Sequence, residues 1–269
     1  MTEKHYEAIE FLKRHHSEEF PVGIILGTGL GGLVKDIKII SEIDYSGIPN
    51  FPVSTVESHS GKLIFGTLSG KNIVAMQGRF HYYEGYTMDE VTFPVHIMKA
   101  LGVKNLIVSN ACGSLNPRFA KTDLMIMASH INLLFNSPLR NKKINFTDGS
   151  NFYSKRLIQL AEKTALENGI PVQKGVYCPV QGPNLETAAE YRMIRKMGGD
   201  TVGMSTIPEA KIAYNLGIEV LGLSIITDEG FPDTLKVALL THILEAAAIA
   251  EPKLTLLIRK LVGQLTVDN

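Results

Sequence analysis

The sequence has little cysteine, no surplus of either charge and no long apolar run, and each shortage closes off a class of protein. Its 269 residues include two cysteines, Cys112 and Cys178. They lie far apart in apolar runs, which predicts reduced core thiols and argues against a disulfide framework or a zinc site. Lysine plus arginine number 27, matched by 27 aspartates and glutamates. With no basic excess to neutralise a phosphate backbone, nucleic acid is not an expected partner. No apolar stretch approaches the roughly 20 residues that cross a bilayer. The first twenty residues are dense in charge and lack a signal-peptide apolar region. A soluble, cytoplasmic protein with no membrane contact is expected. Linker-like stretches, low-complexity segments and internal repeats are also missing, so residues 1–269 are read as a single domain.

What is present is ordinary globular material, 45% hydrophobic and 20% charged, enough for a sizeable core. Apolar runs rich in β-branched residues alternate with helical patterns, which argues an α/β fold, a mixed β-sheet flanked by helices. Tyr6, Ile9 and Leu12 share a helical spacing, so an amphipathic helix opens the chain. Val22 to Leu26 reads as a buried strand. Lys62 to Leu68 and Asn72 to Met76 flank Ser69-Gly70-Lys71 as a hairpin. Thr87-Met88-Asp89-Glu90 is a capping box, with Gly102 where the helix should stop and Pro94 expected to kink it. Further strands are expected at Leu106 to Ser109, Leu124 to Ala128, near Val176 and at Val220 to Ile226. Helices are expected at Lys155 to Asn168, Thr187 to Met197, Pro208 to Leu216 and over most of the last forty residues, broken at Pro252. The polar, turn-rich segment Asn136 to Asn151 is long enough to be a functional loop.

Five strands end abruptly in small or polar residues. Leu26 gives way to Gly27-Thr28-Gly29-Leu30-Gly31-Gly32, and Met76 to Gln77-Gly78-Arg79-Phe80-His81. Ser109 leads into Asn110-Ala111-Cys112-Gly113, Val180 into Gln181-Gly182-Pro183, and Ile226 into Thr227-Asp228-Glu229. Ligands sit at strand C-termini in α/β sheets, so these ends are expected to converge. Gly27, Gly29 and Gly32 fit a dinucleotide pattern, which would make the chain a nicotinamide-dependent oxidoreductase. The stretch from Leu33 to Ile43, however, reads as a short turn and a strand, not the helix of a βαβ unit. A loop whose backbone N–H groups and Thr28 hydroxyl cradle one phosphate fits better; a tight structural turn is the third reading. Arg79 and His81 are two residues apart, so in extended backbone both can reach one anion, the arginine with a planar fork and the histidine with a further donor. His59, between two serines, is a candidate to join them.

Taken in order, Gly27 to Gly32, Met76 to Gly85, Ser109 to Gly113 and Val202-Gly203-Met204-Ser205-Thr206 resemble the signature of the trimeric purine nucleoside phosphorylases, over about Gly23 to His242. The resemblance implies a nucleoside phosphorylase-like fold and phosphorolysis of purine nucleosides. It implies a phosphate site of Thr28, His59, Arg79, His81, the Ala111 N–H and Ser205. The ribose would meet Tyr83, Met204 and His242, and the base Leu185, Glu186 and Asp228. His81, Glu186, Asp228 and His242 would carry the catalysis. A homotrimer is implied, with Phe146 reaching a neighbour's ribose. Inorganic phosphate would be the co-substrate, with no metal and no organic cofactor, and purine salvage the setting.

The departures from the pattern are informative. Relatives specific for 6-oxopurines carry asparagine and lysine where this chain has Asp228 and Glu229. Asparagine donates to a 6-oxygen and accepts from N7, whereas ionised aspartate only accepts. Either Asp228 is held protonated near Glu186, or it meets protonated N7 alone, or the enzyme favours 6-amino purines as methylthioadenosine phosphorylases do. Leu185 replaces a frequent phenylalanine, and Thr28 a serine. A non-catalytic nucleoside-binding protein is the remaining alternative.

Overall fold

In the computed structural model the described residues are 1–27, 30–53, 60–140, 142, 152–235 and 239–266. The elements are α1 (Glu3–His15), β1 (Val22–Leu26), β2 (Lys38–Asp44), β3 (Lys62–Leu68), β4 (Lys71–Gln77), α2 (Met88–Ala100), β5 (Asn105–Ser114) and β6 (Leu124–His130). They continue with α3 (Lys155–Glu167), β7 (Val172–Pro179), α4 (Ala188–Lys196), β8 (Thr201–Gly203), α5 (Ile207–Asn215), β9 (Glu219–Glu229) and α6 (Leu240–Gln264).

The strands form one mixed sheet in the order β2-β3-β4-β1-β5-β8-β7-β6-β9, and β9 also pairs with β5. The last five strands therefore return on themselves. The strands β4, β1, β5 and β9 are mutually parallel along their pairings, so their C-terminal ends face the same way. Every residue of β1 is buried, as expected for a parallel strand covered on both faces. Val22, Ile24 and Leu26 join a core with α3 and α6, while Ile25 joins the core formed with α1, α2 and α5.

Local chemistry accounts for the element ends. The Thr87 hydroxyl accepts the Glu90 N–H at 3.3 Å, and Glu90 accepts the Thr87 N–H at 2.8 Å, the reciprocal cap expected there. In α1, Tyr6 is 57% exposed, and the buried stripe is His5, Ala8, Ile9 and Leu12. His5 is drawn in because its ring stacks on Phe93 of α2, centroids 4.4 Å apart. The expected break at Pro252 does not occur. Ala250, Leu254, Leu257, Ile258 and Leu261 are buried on both sides of it, and several such side chains at about 1.5–3 kcal/mol each outweigh about 3 kcal/mol for an interior proline.

The Gly31–Asp36 stretch is a single 3₁₀ segment leading into β2, which pairs antiparallel with β3. The described residues therefore form no βαβ unit at the glycine-rich loop. Cys112 and Cys178 are buried and free; burial pushes the Cys112 thiol up to about 12.

Candidate active site

The C-terminal ends of β1, β4, β5 and β9 open into a cavity of about 320 Å³. Gly27, Arg79, Asn110 to Gly113, and Thr227 with Asp228 line it from those four ends. The segment after β7 adds Pro183, Leu185 and Glu186. The strand β8 runs antiparallel to β5, pairing Val202 with Gly113. Its continuation therefore travels back along Cys112 and Ala111 and delivers Gly203, Met204 and Ser205 to the same wall. Leu240 and Ile243 of α6 complete the lining. The five segments singled out in the sequence do converge, but two of them do not terminate their strands: β5 runs on to Ser114 and β9 to Glu229, because the two strands stay paired along that length. At Gly27 only glycine fits, because a Cβ there would lie 2.7 Å from the Ser109 carbonyl oxygen; a Cβ on Gly113 would lie 2.8 Å from Asp228 Oδ2 and would push that carboxyl aside.

One end of the cavity is built around Arg79, which is 1% exposed. Its Nε donates to Glu209 Oε1 at 3.0 Å, and its Nη2 lies 3.0 Å from the same oxygen. Nη1 donates one proton to the Ser109 carbonyl at 2.7 Å and shares the other between Thr206 Oγ1 at 3.1 Å and Ser205 Oγ at 3.2 Å. The turn that carries Arg79 is held by the buried Tyr45 hydroxyl, which donates to the Gly78 carbonyl at 2.9 Å. His81 Nδ1 lies 2.9 Å from Glu84 Oε1, which also accepts the His81 N–H at 2.7 Å. That contact orients the imidazole and leaves Nε2 on the opposite edge of the ring. The His81 ring stacks on Tyr83 with centroids 4.8 Å apart. A buried guanidinium, an imidazole and a serine hydroxyl around one space are the donors an anion requires.

The other end is acidic and apolar. Burial raises Glu186 above the usual carboxylate range, and the nearby Asp228 adds to the effect. Burial also raises Asp228, opposed by a hydrogen bond from Thr227, whose hydroxyl lies 2.9 Å from Asp228 Oδ1. Leu185, 45% exposed, and the half-buried Met204 supply apolar surface.

Among the candidates named from sequence, Arg79, His81, Tyr83, Ala111, Leu185, Glu186, Met204, Ser205 and Asp228 line this cavity. His242 does not: it is exposed, although Leu240 and Ile243 on either side are lining residues. Thr28, His59 and Phe146 lie outside the described residues. Sequence reasoning passed over Glu84, Glu209 and Thr206. Glu84 had a usable signal, a carboxylate three residues after the histidine. Glu209 looked like an ordinary acid in the first turn of a helix, and nothing in its spacing announced 3% exposure. Among the described residues no three His, Cys, Asp or Glu side chains are grouped to hold a metal, and no helix is long and apolar enough to cross a membrane.

A mixed sheet whose last five strands close on themselves, with a cavity at its strand ends that is rich in donors on one side and carboxyl groups on the other, defines a class, and residues 21–263 match the Phosphorylase superfamily. The chain is 52% identical to purine nucleoside phosphorylase 1 of Geobacillus stearothermophilus over 82% of this chain and 83% of the relative. It is 40% identical to the purine nucleoside phosphorylase of Bos taurus over 99% of this chain and 96% of that one. The crystal structure of Schistosoma mansoni purine nucleoside phosphorylase in complex with inosine superposes with a TM-score of 0.92 at 38% identity, covering 99% of this chain and 98% of the other. The chain belongs to the purine nucleoside phosphorylase family of that superfamily.

Proposed function

We propose that this protein catalyses the reversible phosphorolysis of purine ribonucleosides and 2′-deoxyribonucleosides, giving the free base and an α-(deoxy)ribose 1-phosphate for purine salvage. The observation that carries this reading is one cavity with donors for an anion at one end and two carboxyl groups at the other. Tyr83, stacked on His81, and Met204, next to Ser205 in the chain, suit a ribose between them.

In the proposed reaction a phosphate oxygen attacks C1′ on the face opposite the purine. The C1′–N9 bond breaks as the new C–O bond forms, and its electron pair leaves with the base. The ribosyl group is cationic in between, so the phosphate held by Arg79, His81, Ser205 and the Ala111 N–H stabilises it electrostatically. Glu186 accepts from purine N–H groups. Asp228 hands a proton to N7, or shares one already there, as charge builds on the departing ring. These are tasks for preorganised donors and acceptors, and inorganic phosphate is the only co-substrate required.

The same reading includes a cytoplasmic homotrimer, with Thr28 and His59 completing the phosphate site, His242 serving the 5′-hydroxyl and Phe146 closing a neighbour's cleft. A partly open base end supports it: Phe135 is 85% exposed beside Leu185 and Met193, apolar surface suited to cover by another subunit. A second reading, preference for adenosine or methylthioadenosine, draws on Asp228, which as a carboxylate accepts from a 6-amino group. Phosphate-dependent base release from inosine, guanosine, adenosine and methylthioadenosine, measured in parallel, separates the two. Release from inosine and guanosine is expected; preference for either adenine nucleoside would move the substrate class while leaving the reaction. No phosphate-dependent release from any of the four would remove the proposal.

A further inference from the structure

Thr206 lies behind the anion end, fully buried and outside the cavity lining, yet its hydroxyl joins several groups that form that end. Its backbone sits at φ 74°, ψ −45°, and the Ile207 N–H donates to the Ser205 carbonyl at 2.8 Å. This is a γ-turn centred on a β-branched residue, a strained conformation that glycine would adopt more easily. Threonine at such a place needs a compensating role for its side chain.

The hydrogen-bond directions supply one. Thr206 Oγ1 accepts from Asn110 Nδ2 at 2.8 Å and from Arg79 Nη1 at 3.1 Å. Guanidinium and amide N–H groups can only donate. With both of its lone pairs engaged, the Thr206 hydroxyl must give its own proton away, and Ser205 Oγ stands 3.2 Å off. Ser205 Oγ also faces Arg79 Nη1 at 3.2 Å. Nη1 has two protons, one held by the Ser109 carbonyl and the other shared between Thr206 and Ser205, so the Ser205 oxygen accepts chiefly from Thr206, and the Ser205 proton is turned to the remaining direction, the cavity that Ser205 lines. Chains of this kind polarise each member in turn. Three residues further on, Glu209 grips the other edge of the same guanidinium.

We infer that Thr206 is a positioning residue for anion binding: its hydroxyl, locked in a strained turn between two obligatory donors, orients the Ser205 hydroxyl as a donor to the bound phosphate and fixes Arg79 in register. This deepens the phosphorolysis reading and rests on it for the identity of the anion.

The test compares T206S, T206V, T206A and T206G with the wild-type enzyme, varying phosphate and inosine separately. T206V keeps the shape and lacks the hydroxyl, so its KM for phosphate should rise about ten-fold or more, the size of a lost charged hydrogen bond, while its KM for inosine stays within about two-fold. T206S keeps the hydroxyl and should stay within about three-fold of wild type for phosphate. Both hydroxyl-free small variants should resemble T206V, with T206G melting higher than T206A because only glycine relaxes in that turn. A wild-type KM for phosphate in T206V, or equal impairment in T206S, would overturn the assignment. The rise in melting temperature on adding inorganic phosphate provides an independent readout, expected in the wild type and T206S and diminished in T206V. If the wild-type enzyme releases no base, the phosphorolysis reading fails, and this shift still decides the anion role: a shift equal in T206V and wild type, or absent from both, sinks it.

Discussion

The two ends of the cleft are built on different physical plans. At the anion end Arg79, His81 and Ser205 are 1%, 6% and 8% exposed, and side chains behind them fix their orientation. At the base end Leu185 is 45% exposed, and two carboxyl groups raised by burial face the cavity, Glu186 hydrogen-bonded to Tyr191 and Asp228 to Thr227. The first end is preorganised and tolerates little; the second is adjustable and leaves room for selectivity. In the proposed reaction that division is sensible, since phosphate is the same in every turnover and the purine varies.

Substitutions at the two ends should therefore fail in different ways, and the largest failure belongs to the buried end. Arg79→Met should reduce kcat/KM for phosphate by about 10³-fold and destabilise the fold by about 3–5 kcal/mol, because Glu209 is left charged and buried without its partner. Steady-state kinetics with phosphate varied, together with urea unfolding, checks both parts. Adding Glu209→Gln should return part of the stability and none of the activity. If Arg79→Met left phosphate dependence and stability near wild type, the contrast between the ends would collapse.

Next in size is Glu186→Gln, for which kcat/KM for inosine should fall about 10²-fold with the KM for phosphate within about two-fold. A matching loss for both substrates would mean that the ends are not separable. Asp228→Asn should raise the preference for inosine over adenosine by about ten-fold, about 1.4 kcal/mol of discrimination. The pH dependence has a definite sign. Asp228 is raised, so its neutral form, able to donate to a 6-oxygen, persists to higher pH than in an ordinary aspartate. The wild-type inosine-to-adenosine ratio should fall as pH rises through that titration, while the asparagine variant shows a flat ratio. A flat wild-type profile would indicate that Asp228 does not face the 6-substituent.

The smallest change is expected for His242→Ala, a few-fold loss for nucleosides carrying a 5′-hydroxyl and less for 5′-deoxy substrates. Equal losses would detach His242, exposed in the single chain, from that role.

Much of this was legible in the chain because its information is local. The buried strand Val22–Leu26, the hairpin around Ser69-Gly70 and the Thr87 cap depend on residues within a few positions of each other. The small and polar segments that converge on the cavity were readable for the same reason, and the ordered motifs named the family. What stayed hidden depends on distant partners. The strand β8 has three residues, too few to show an alternation, and exists because β5 and β7 flank it. Pro252 was read as a break because the burial that carries α6 past it comes from other elements. Thr206 and Glu209 show their meaning only when Arg79, more than a hundred positions earlier, is folded against them.

That separation also governs how the protein comes into being. Arg79 and Glu209 are 130 residues apart, so a ribosome adding roughly 10 residues per second makes the acid over ten seconds after the base. The central strands wait in the same way, since β5 needs β9 to cover its far edge. A nascent chain stopped before α5 holds a guanidinium without its Glu209 carboxylate where its finished core should close. Truncated products should thus be substrates for chaperones and proteases, and no shortened version of this chain that omits α5 should retain the anion pocket.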